Sequence, residues 1–565
     1  MKHSSTQQVG VSPAPGNTSD IWFLLLLTFL CFGRLLFLGD INYDDNCWLL
    51  SIYTTTDLSA FLDTGFRELR RVPQGISLYT LLLPHTLVNN PFPLWQSLTI
   101  LTELLSSLGI YLLLRSLPGN SSTAPFWAAV FFIIAPTETT QGIIHTSMYR
   151  VGTMLSIFSL YLTSVYMQTL KKGYFAAALA LYTFVSVFLL EGAIALEPAR
   201  FAMLAYLLAA LGCSWRESAK RGAILMVPFV LVTVPIVLYK LLLKPFGIYA
   251  GTYQTSLWFI AEPSMWYRFL RHFLFDNWAF LAKYMSGFPA WGLALGILGG
   301  LAAWHRVSPP PPSARSLDRD GGTRRGLPDF TIIFGVILLL FPALMYMYAG
   351  RVPTYGFDSR HGIIMQPGNA VLLAGAFAWL YGRYGKALFF KTATTVFIAT
   401  GIFFCNVNID QYFKTLSNKQ RFWRAFSEKF PTLPPNADFV FDVSNPELLY
   451  RYYADYDFEL PLNLLYSRTS ERGKIRSYRA IPASEFSPSP ERFFTRLGHY
   501  GNDVFDTKSI IPVAFRNDRL YVGKETVALP GVSYSVLANN PIPKASSVPA
   551  AGYPLRHKLN YLPTE

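Results

Sequence analysis

Residues 21–39 read IWFLLLLTFLCFGRLLFLG, an apolar run whose one charged residue is Arg34. A helix needs about 20 apolar residues to cross a hydrocarbon core of about 30 Å. Similar runs recur up to about residue 410, and 52% of the 565 residues are hydrophobic while only 15% are charged. Soluble proteins carry roughly 25% charged residues. The sequence therefore predicts a polytopic α-helical membrane protein.

We predict about 11 transmembrane helices, several of which extend into the flanks of a short apolar run. The predicted spans are 21–39, 94–114, 123–136, 150–168, 173–190, 200–213, 223–243, 289–304, 330–349, 367–382 and 388–408. Residues 409–565 contain no such run. Strand-like patterns at 439–443 and 519–522, with dense Pro and Gly, indicate a small α/β soluble domain there.

Lysine and arginine in the short loops predict the orientation, because such loops face the cytoplasm. The basic loop residues on one side are Arg115, Lys171, Lys172, Arg216, Lys220, Arg221, Arg306, Arg315, Arg319, Arg324, Arg325, Arg383 and Lys386. This places the tail 1–20 and the Pro-rich linker 305–329 in the cytoplasm. With an odd number of spans, 409–565 is extracytoplasmic.

The formal net charge of +14 comes mostly from residues at the ends of apolar runs. Anionic lipid headgroups explain this pattern, and nucleic acid is not an expected partner. The two Asn-x-Ser/Thr sequons, at Asn17 and Asn120, fall on the predicted cytoplasmic side. Their position favours a bacterial inner (plasma) membrane over an endoplasmic reticulum membrane.

The first external loop, residues 40–93, combines carboxylates with arginines, against the usual charge distribution of external loops. Its charged candidates are Asp40, Asp44, Asp45, Arg67, Arg70 and Arg71, and its stretches 48–62 and 75–88 suit helices lying in the interface. A carboxylate can remove a proton from an acceptor hydroxyl, and arginines can hold a leaving phosphate. The alternative is that Asp44-Asp45 is only a solvated turn or a helix cap.

This order of features resembles the GT-C superfamily of integral-membrane glycosyltransferases, in particular aminoarabinose transferases and protein O-mannosyltransferases. The matching residues are Asp44-Asp45 at the start of the first loop and 70–75, RRVPQG, before its second helix. The resemblance covers the transmembrane domain 21–408 in topology. It implies an inverting transfer from a polyprenyl-phosphate-linked sugar, with Asp44 or Asp45 as the general base. Asp44 is slightly favoured, and Asp40 is the fallback.

A second external loop supplies Arg351, Arg360 and His361, which the resemblance places on the lipid phosphate. The alternative is an interfacial loop whose cations meet lipid headgroups. Glu138 is a candidate for contact with the substrate or a metal, with an ordinary interfacial glutamate as the alternative. No cofactor is certain, and a divalent cation is left open.

Two other functions remain open on the sequence. A transporter or flippase for a lipid-linked saccharide would use the same basic loops, but needs charges in the middle of the membrane, of which Glu103 is the clearest. An assembly protein would use residues 409–565 to bind a partner. For a transferase, the acceptor is a glycan, a lipid or a protein.

Overall fold

The computed structural model is predominantly helical. It describes residues 18–42, 44–118, 123–135, 137–246, 255–283, 290–306, 330–354, 356–384, 387–433, 438–443, 456–466, 479–482, 486–488, 493–495, 504–505, 510–516 and 519–522. The side chain of Asp44 lies outside the described residues.

The first part of the chain forms one long helix followed by four short ones. These are α1 (Thr18–Phe32), α2 (Asp44–Thr54), α3 (Leu58–Asp63), α4 (Val72–Leu82) and α5 (Pro84–Leu87). Between α1 and α2, Gly33–Phe37 is a 3-10 segment that continues the first helix. The short helices occupy the two stretches of the first loop for which helices are predicted.

Thirteen further helices follow up to residue 429. They are α6 (Phe92–Arg115), α7 (Ala124–Ile134), α8 (Ser147–Thr169), α9 (Lys172–Phe184), α10 (Glu197–Ala210), α11 (Trp215–Leu242), α12 (Leu257–Ala261), α13 (Pro263–Arg271), α14 (Asn277–Lys283), α15 (Ala290–Arg306), α16 (Phe330–Tyr348), α17 (Gln366–Tyr384) and α18 (Ala387–Lys429). Short 3-10 segments at Glu191–Leu196 and Gly356–Met365 precede α10 and α17.

Eight helical stretches in the described part of the chain are long and apolar enough to cross a membrane. They are Thr18–Phe37, Phe92–Arg115, Lys172–Leu189, Glu191–Ala210, Trp215–Leu242, Phe330–Tyr348, Asp358–Leu380 and Leu388–Lys429. The three other predicted spans are helical too, as α7, α8 and α15. Because α7 and α15 are short and α8 does not count among the eight, the number eleven stays a prediction.

Two glycines bring α16 and α17 into close contact and so place the loop between them. A Cβ atom on Gly335 would lie 2.6 Å from the backbone nitrogen of Leu372, and one on Gly368 would collide with the backbone of Leu339. Real Cβ atoms do not approach backbone this closely, so both positions require glycine for this packing. The loop that follows α16 carries Arg351, Arg360 and His361.

Residues after 429 contribute α19 (Tyr456–Tyr466) and seven strands. These are β1 (Asp438–Val443), β2 (Arg479–Pro482), β3 (Phe486–Pro488), β4 (Phe493–Thr495), β5 (Val504–Phe505), β6 (Ile510–Arg516) and β7 (Arg519–Val522). One sheet has the order β2-β1-β6-β7, with β1 parallel to β2 and β6; the other is antiparallel, β3-β4-β5. The strands predicted at 439–443 and 519–522 are confirmed as β1 and β7.

The end of α18 and the first sheet share one aromatic core. Phe422 and Phe426 of α18 pack at 5.6 Å, between ring centroids, from Phe441 of β1, and Phe441 stacks on Phe458 of α19 at 4.6 Å. All four rings are buried. Aromatic pairs at these separations add to the stabilisation from buried area, so α18 and the C-terminal elements are fixed to one another.

Candidate functional site

The second aspartate of the pair, Asp45, is fully buried beside the start of α8. Its Oδ2 accepts a hydrogen bond from the backbone N–H of Ile144 at 2.7 Å. Its Oδ1 lies 2.8 Å from the backbone nitrogen and 2.9 Å from the ring Nδ1 of His145. Both carboxylate oxygens are therefore engaged within the protein, which fixes α2 against the start of α8.

The fallback aspartate, Asp40, is also buried and forms an ion pair. Lys419 of α18 places its Nζ 3.0 Å from Oδ1 of Asp40, and the backbone N–H of Ile41 donates to the same oxygen. Burial raises the pKa of the Asp40 carboxyl above its ordinary value, and the positive charge of Lys419 opposes that shift. This carboxylate is therefore a structural anchor in the described surroundings.

A half-exposed group of charges lies where α4, the segment before α10 and the end of α11 meet. Glu191 Oε1 is 3.3 Å from Nε of Arg71 and 2.7 Å from Nζ of Lys240. The exposed fractions of these three side chains are 23%, 33% and 28%. One carboxylate is thus shared by two cations that still reach solvent.

The loop with Arg351 and Arg360 lies near the group formed by Arg71, Glu191 and Lys240. The charges of Arg71, Arg351 and Arg360 all act on His361, and Arg71 and Glu191 also act on Tyr346. The rings of His361 and Tyr346 lie 4.8 Å apart between centroids. Arg71, Glu191, Lys240, Arg351 and Arg360, with His361 and Tyr346, are called the basic cluster below.

Hydrogen bonds hold the loop of the basic cluster against the chain that precedes α8. The hydroxyl of Ser359 donates to the carbonyl of Gly356 at 2.6 Å and accepts from the backbone N–H of Thr139 at 2.8 Å. A Cβ on Gly362 would lie 2.5 Å from the carbonyl oxygen of Thr137, so the approach needs glycine. The site is therefore built on fixed backbone.

His272 lies next to the close contact between Gly362 and Thr137. Its Nε2 would be 3.8 Å from a Cβ on Gly362, and its side chain is fully buried. Burial lowers the pKa of His272 to about 4, so the ring is neutral at neutral pH. It adds no positive charge to the basic cluster.

Two arginines predicted for phosphate binding lie outside the basic cluster. Arg70, at φ 57°, lays its guanidinium 4.5 Å from the ring centroid of Phe246, and its carbonyl accepts from Lys240 at 3.0 Å. Arg67 forms an exposed ion pair with Asp63 at 2.6 Å. Arg70 thus supports Lys240, while Arg67 belongs to a local surface pair.

Glu138 lies inside the helix bundle. Its Oε1 is 2.7 Å from Arg150, and its Oε2 accepts from the backbone N–H and the hydroxyl of Thr140 at 2.5 and 2.6 Å. Its side chain is 1% exposed. These bonds fix the Glu138 side chain in the bundle, and its contact with a substrate stays a prediction. Among the described residues, no group of three His, Cys, Asp or Glu side chains is arranged to hold a metal ion.

Sequence reasoning missed Lys240 as a member of the site. It lies three residues before the end of the apolar run 223–243, near the predicted external side, where positive charge is uncommon, and this was its only signal. Glu191 was visible only as an external glutamate. Their pairing depends on a contact between segments about fifty residues apart, which no local pattern contains.

No family model matches the chain, and no curated protein matches it. The solved structures that are similar to it include two membrane proteins. One is the arabinofuranosyltransferase AftD from Mycobacteria, with 13% identity over 75% of this chain and a TM-score of 0.33. The chain covers only 29% of AftD. The other is ArnT from Cupriavidus metallidurans, solved bound to undecaprenyl phosphate, with 11% identity, a TM-score of 0.36, and coverage of 77% of this chain and 84% of ArnT. At these TM-scores neither match assigns a residue or a reaction to this chain.

Proposed function

We propose that this chain is a membrane glycosyltransferase. It takes a sugar from a polyprenyl-phosphate-linked donor and passes it, with inversion, to a glycan, lipid or protein acceptor on the extracytoplasmic side. The observation that carries the proposal is the basic cluster, in which cations of the first and the late predicted external loops act on the same side chains. The similarity of the first-loop residues to the GT-C superfamily supports the same reaction class.

The charge balance of the basic cluster favours an anionic ligand. Arg71, Lys240, Arg351 and Arg360 bring four positive charges. Among the described residues, Glu191 contacts Arg71 and Lys240, and Asp358 lies 3.3 Å from Arg360. Several cations gathered at a partly exposed site suit a phosphate group. Arginine is well matched to phosphate, because its planar guanidinium donates two parallel hydrogen bonds.

Within this proposal, Asp44 is the general base and Asp45 positions it. Asp45 has both oxygens committed to Ile144 and His145, so the adjacent aspartate is the better candidate to accept the acceptor's proton. The acceptor oxygen attacks the anomeric carbon as the bond to the phosphate oxygen breaks. The leaving phosphate needs no proton, since the arginines stabilise its negative charge.

The decisive experiment combines transfer with binding in nanodiscs. Undecaprenyl-phosphate-linked sugars are offered singly, together with a bacterial envelope extract that supplies glycan, lipid and protein acceptors, and released undecaprenyl phosphate is measured. Asp44→Asn is expected to lower the rate about 10²- to 10⁴-fold, because general-base catalysis contributes about that much. Its affinity for undecaprenyl phosphate should stay near that of the wild type. Full activity in Asp44→Asn would refute Asp44 as the base, and full activity in Asp45→Asn as well would exclude both aspartates.

Vesicles distinguish the transferase from a transporter. A flippase would move a fluorescent undecaprenyl-phosphate sugar between leaflets without consuming it, whereas the proposed enzyme releases undecaprenyl phosphate. The matched control is Arg221→Gln, since Arg221 forms an exposed pair with Glu217 on the predicted cytoplasmic side. It should behave as wild type in both assays.

The proposed location is the bacterial inner membrane, with the N-terminus in the cytoplasm and residues 409–565 outside. The support is the distribution of lysine and arginine among the short loops. Single cysteines introduced at exposed sites after residue 429 should react with a membrane-impermeant maleimide in intact spheroplasts. Labelling only after lysis would show that residues 409–565 lie in the cytoplasm, opposite to the proposed orientation.

A further inference from the structure

The segment that carries the acid pair is held by the C-terminal part of the chain. Lys419 Nζ lies 3.0 and 3.1 Å from the two carboxylate oxygens of Asp40, 2.9 Å from Oδ1 of Asn42 and 2.5 Å from the carbonyl of Ile41. A lysine has three N–H donors, and four acceptors surround this one. The position of residues 40–42 relative to α18 is therefore closely determined.

A second contact holds α2 itself. The Nδ2 of Asn46 donates to Oδ1 of Asp457 at 2.9 Å, and both side chains are buried. Asp457 lies in the first turn of α19, which packs on α2. Asn46 directly follows Asp45, whose carboxylate holds the start of α8. Neighbouring residues of α2 are thus fixed from two sides.

These contacts join residues more than 370 positions apart in sequence. A domain that only recruits a partner needs no buried polar bonds to the first external loop. Buried charges and amides are costly unless paired, so pairings of this kind restrict the arrangement of the groups that make them. The C-terminal part therefore determines where the acid pair lies.

We propose that Lys419 and Asp457 are positioning residues for the acid pair, and that the C-terminal part completes the active site. This inference rests on the proposed function, because the acid is taken as the base. Its physical basis is that a displacement of about 1 Å of a reacting group costs about 10²-fold in rate. Neither residue contacts the basic cluster in the described contacts, so phosphate binding should not depend on them.

The first test uses Asp457→Ala, Asp457→Asn and Asn46→Ala in the full-length protein. Asp457→Ala and Asn46→Ala should lower kcat about 10- to 100-fold, with Kd for undecaprenyl phosphate and KM for the donor within about twofold. Asp457→Asn keeps the acceptor oxygen and should restore most of the rate. Equal losses in kcat and in phosphate affinity, or no rescue by asparagine, would overturn the proposal.

The second test follows the backbone without any reaction. Hydrogen exchange of peptides covering residues 38–54 should accelerate at least about tenfold in Asp457→Ala, while peptides from α16 and α17 exchange as in the wild type. The double variant Asp40→Asn, Lys419→Met removes the buried ion pair without leaving one charge alone and should act likewise. Unchanged exchange in both variants would overturn the proposal.

The two readouts separate this proposal from the proposed function. If the wild-type protein releases undecaprenyl phosphate from none of the donors, the transferase fails, and exchange alone still decides whether the C-terminal part holds the first loop. If the wild type is active while exchange and kcat are unaffected in the variants, only the positioning role fails. Arg221→Gln again serves as the control for both readouts.

Discussion

Arg200 and Arg71 show what the same side chain does in two surroundings of this protein. Arg200 is 1% exposed, and its guanidinium meets both oxygens of Glu197 at 2.8 and 3.0 Å. It also donates to the carbonyl and the hydroxyl of Ser159 at 3.1 and 2.9 Å. Arg71 is 33% exposed and shares the single carboxylate of Glu191 with Lys240.

The difference separates an arginine that joins helices from one that suits a ligand. All the N–H directions of Arg200 are used by α8 and α10, and its face packs 4.1 Å from the ring centroid of Phe229 in α11. Arg71 lies among like charges with a shared counter-ion and access to solvent. We therefore expect changes at Arg200 to affect stability and changes at Arg71 to affect binding.

The largest effect is expected from Arg200→Leu. Removing the cation leaves the buried carboxylate of Glu197 without its partner, which costs about 3–5 kcal/mol of stability. The measurement is thermal unfolding in detergent, followed by intrinsic fluorescence. The double variant Arg200→Met, Glu197→Gln should recover much of the loss, and a single variant as stable as wild type would contradict the structural role.

Arg71→Ala and Arg360→Ala should each weaken binding of undecaprenyl phosphate. A hydrogen bond to a charged group contributes about 1.5–3 kcal/mol, so Kd should rise about 10- to 100-fold. Native mass spectrometry of the protein with added undecaprenyl phosphate measures this directly. Both variants should melt near the temperature of the wild type. If they bind undecaprenyl phosphate as tightly as Arg221→Gln does, the basic cluster is not a phosphate site.

Glu191→Gln tests the role of the shared carboxylate. If Glu191 competes with phosphate for Arg71 and Lys240, neutralising it should strengthen binding by about 1 kcal/mol, about fivefold in Kd. Glu217→Gln is the matched control, because Glu217 also pairs with an arginine but lies at an exposed site. Weaker binding in Glu191→Gln would show that the carboxylate instead orients the cations.

The smallest effect is expected from Arg67→Ala. Arg67 and Asp63 are 50% and 60% exposed and four residues apart in sequence, and exposed pairs of this kind contribute less than about 1 kcal/mol. Phosphate affinity should change by less than about threefold. A loss of phosphate affinity as large as that of Arg71→Ala would show that Arg67 also binds phosphate, despite its surface pair with Asp63.

Local sequence patterns predict the helical architecture well here, because an apolar run of sufficient length has few alternatives in a membrane. The first-loop helices and strands β1 and β7 were also predicted, from periodicity and punctuation by proline and glycine. The number of spans is less certain, since α7 and α15 are shorter than a full crossing.

The site was predicted only in part. Arg71, Arg351, Arg360 and His361 lie close enough to interact electrostatically, and their role in phosphate binding stays a prediction. The sequence did not indicate a role for Lys240 in the site, because a lysine near the end of an apolar run normally reaches towards lipid headgroups. The partners of Asp45, Ile144 and His145, are mostly backbone N–H groups, which carry no residue-specific signal. Contacts of this kind become visible only when the fold is known.

Helix α18 runs for 43 residues without a proline, so at 1.5 Å per residue it is about 65 Å long, twice the thickness of a hydrocarbon core. Its first half contains the predicted span 388–408, and its second half carries Lys419. A change in bilayer thickness tilts such a helix. Under the proposed function, the rate of transfer should thus depend on the length of the surrounding acyl chains, even where the donor does not change.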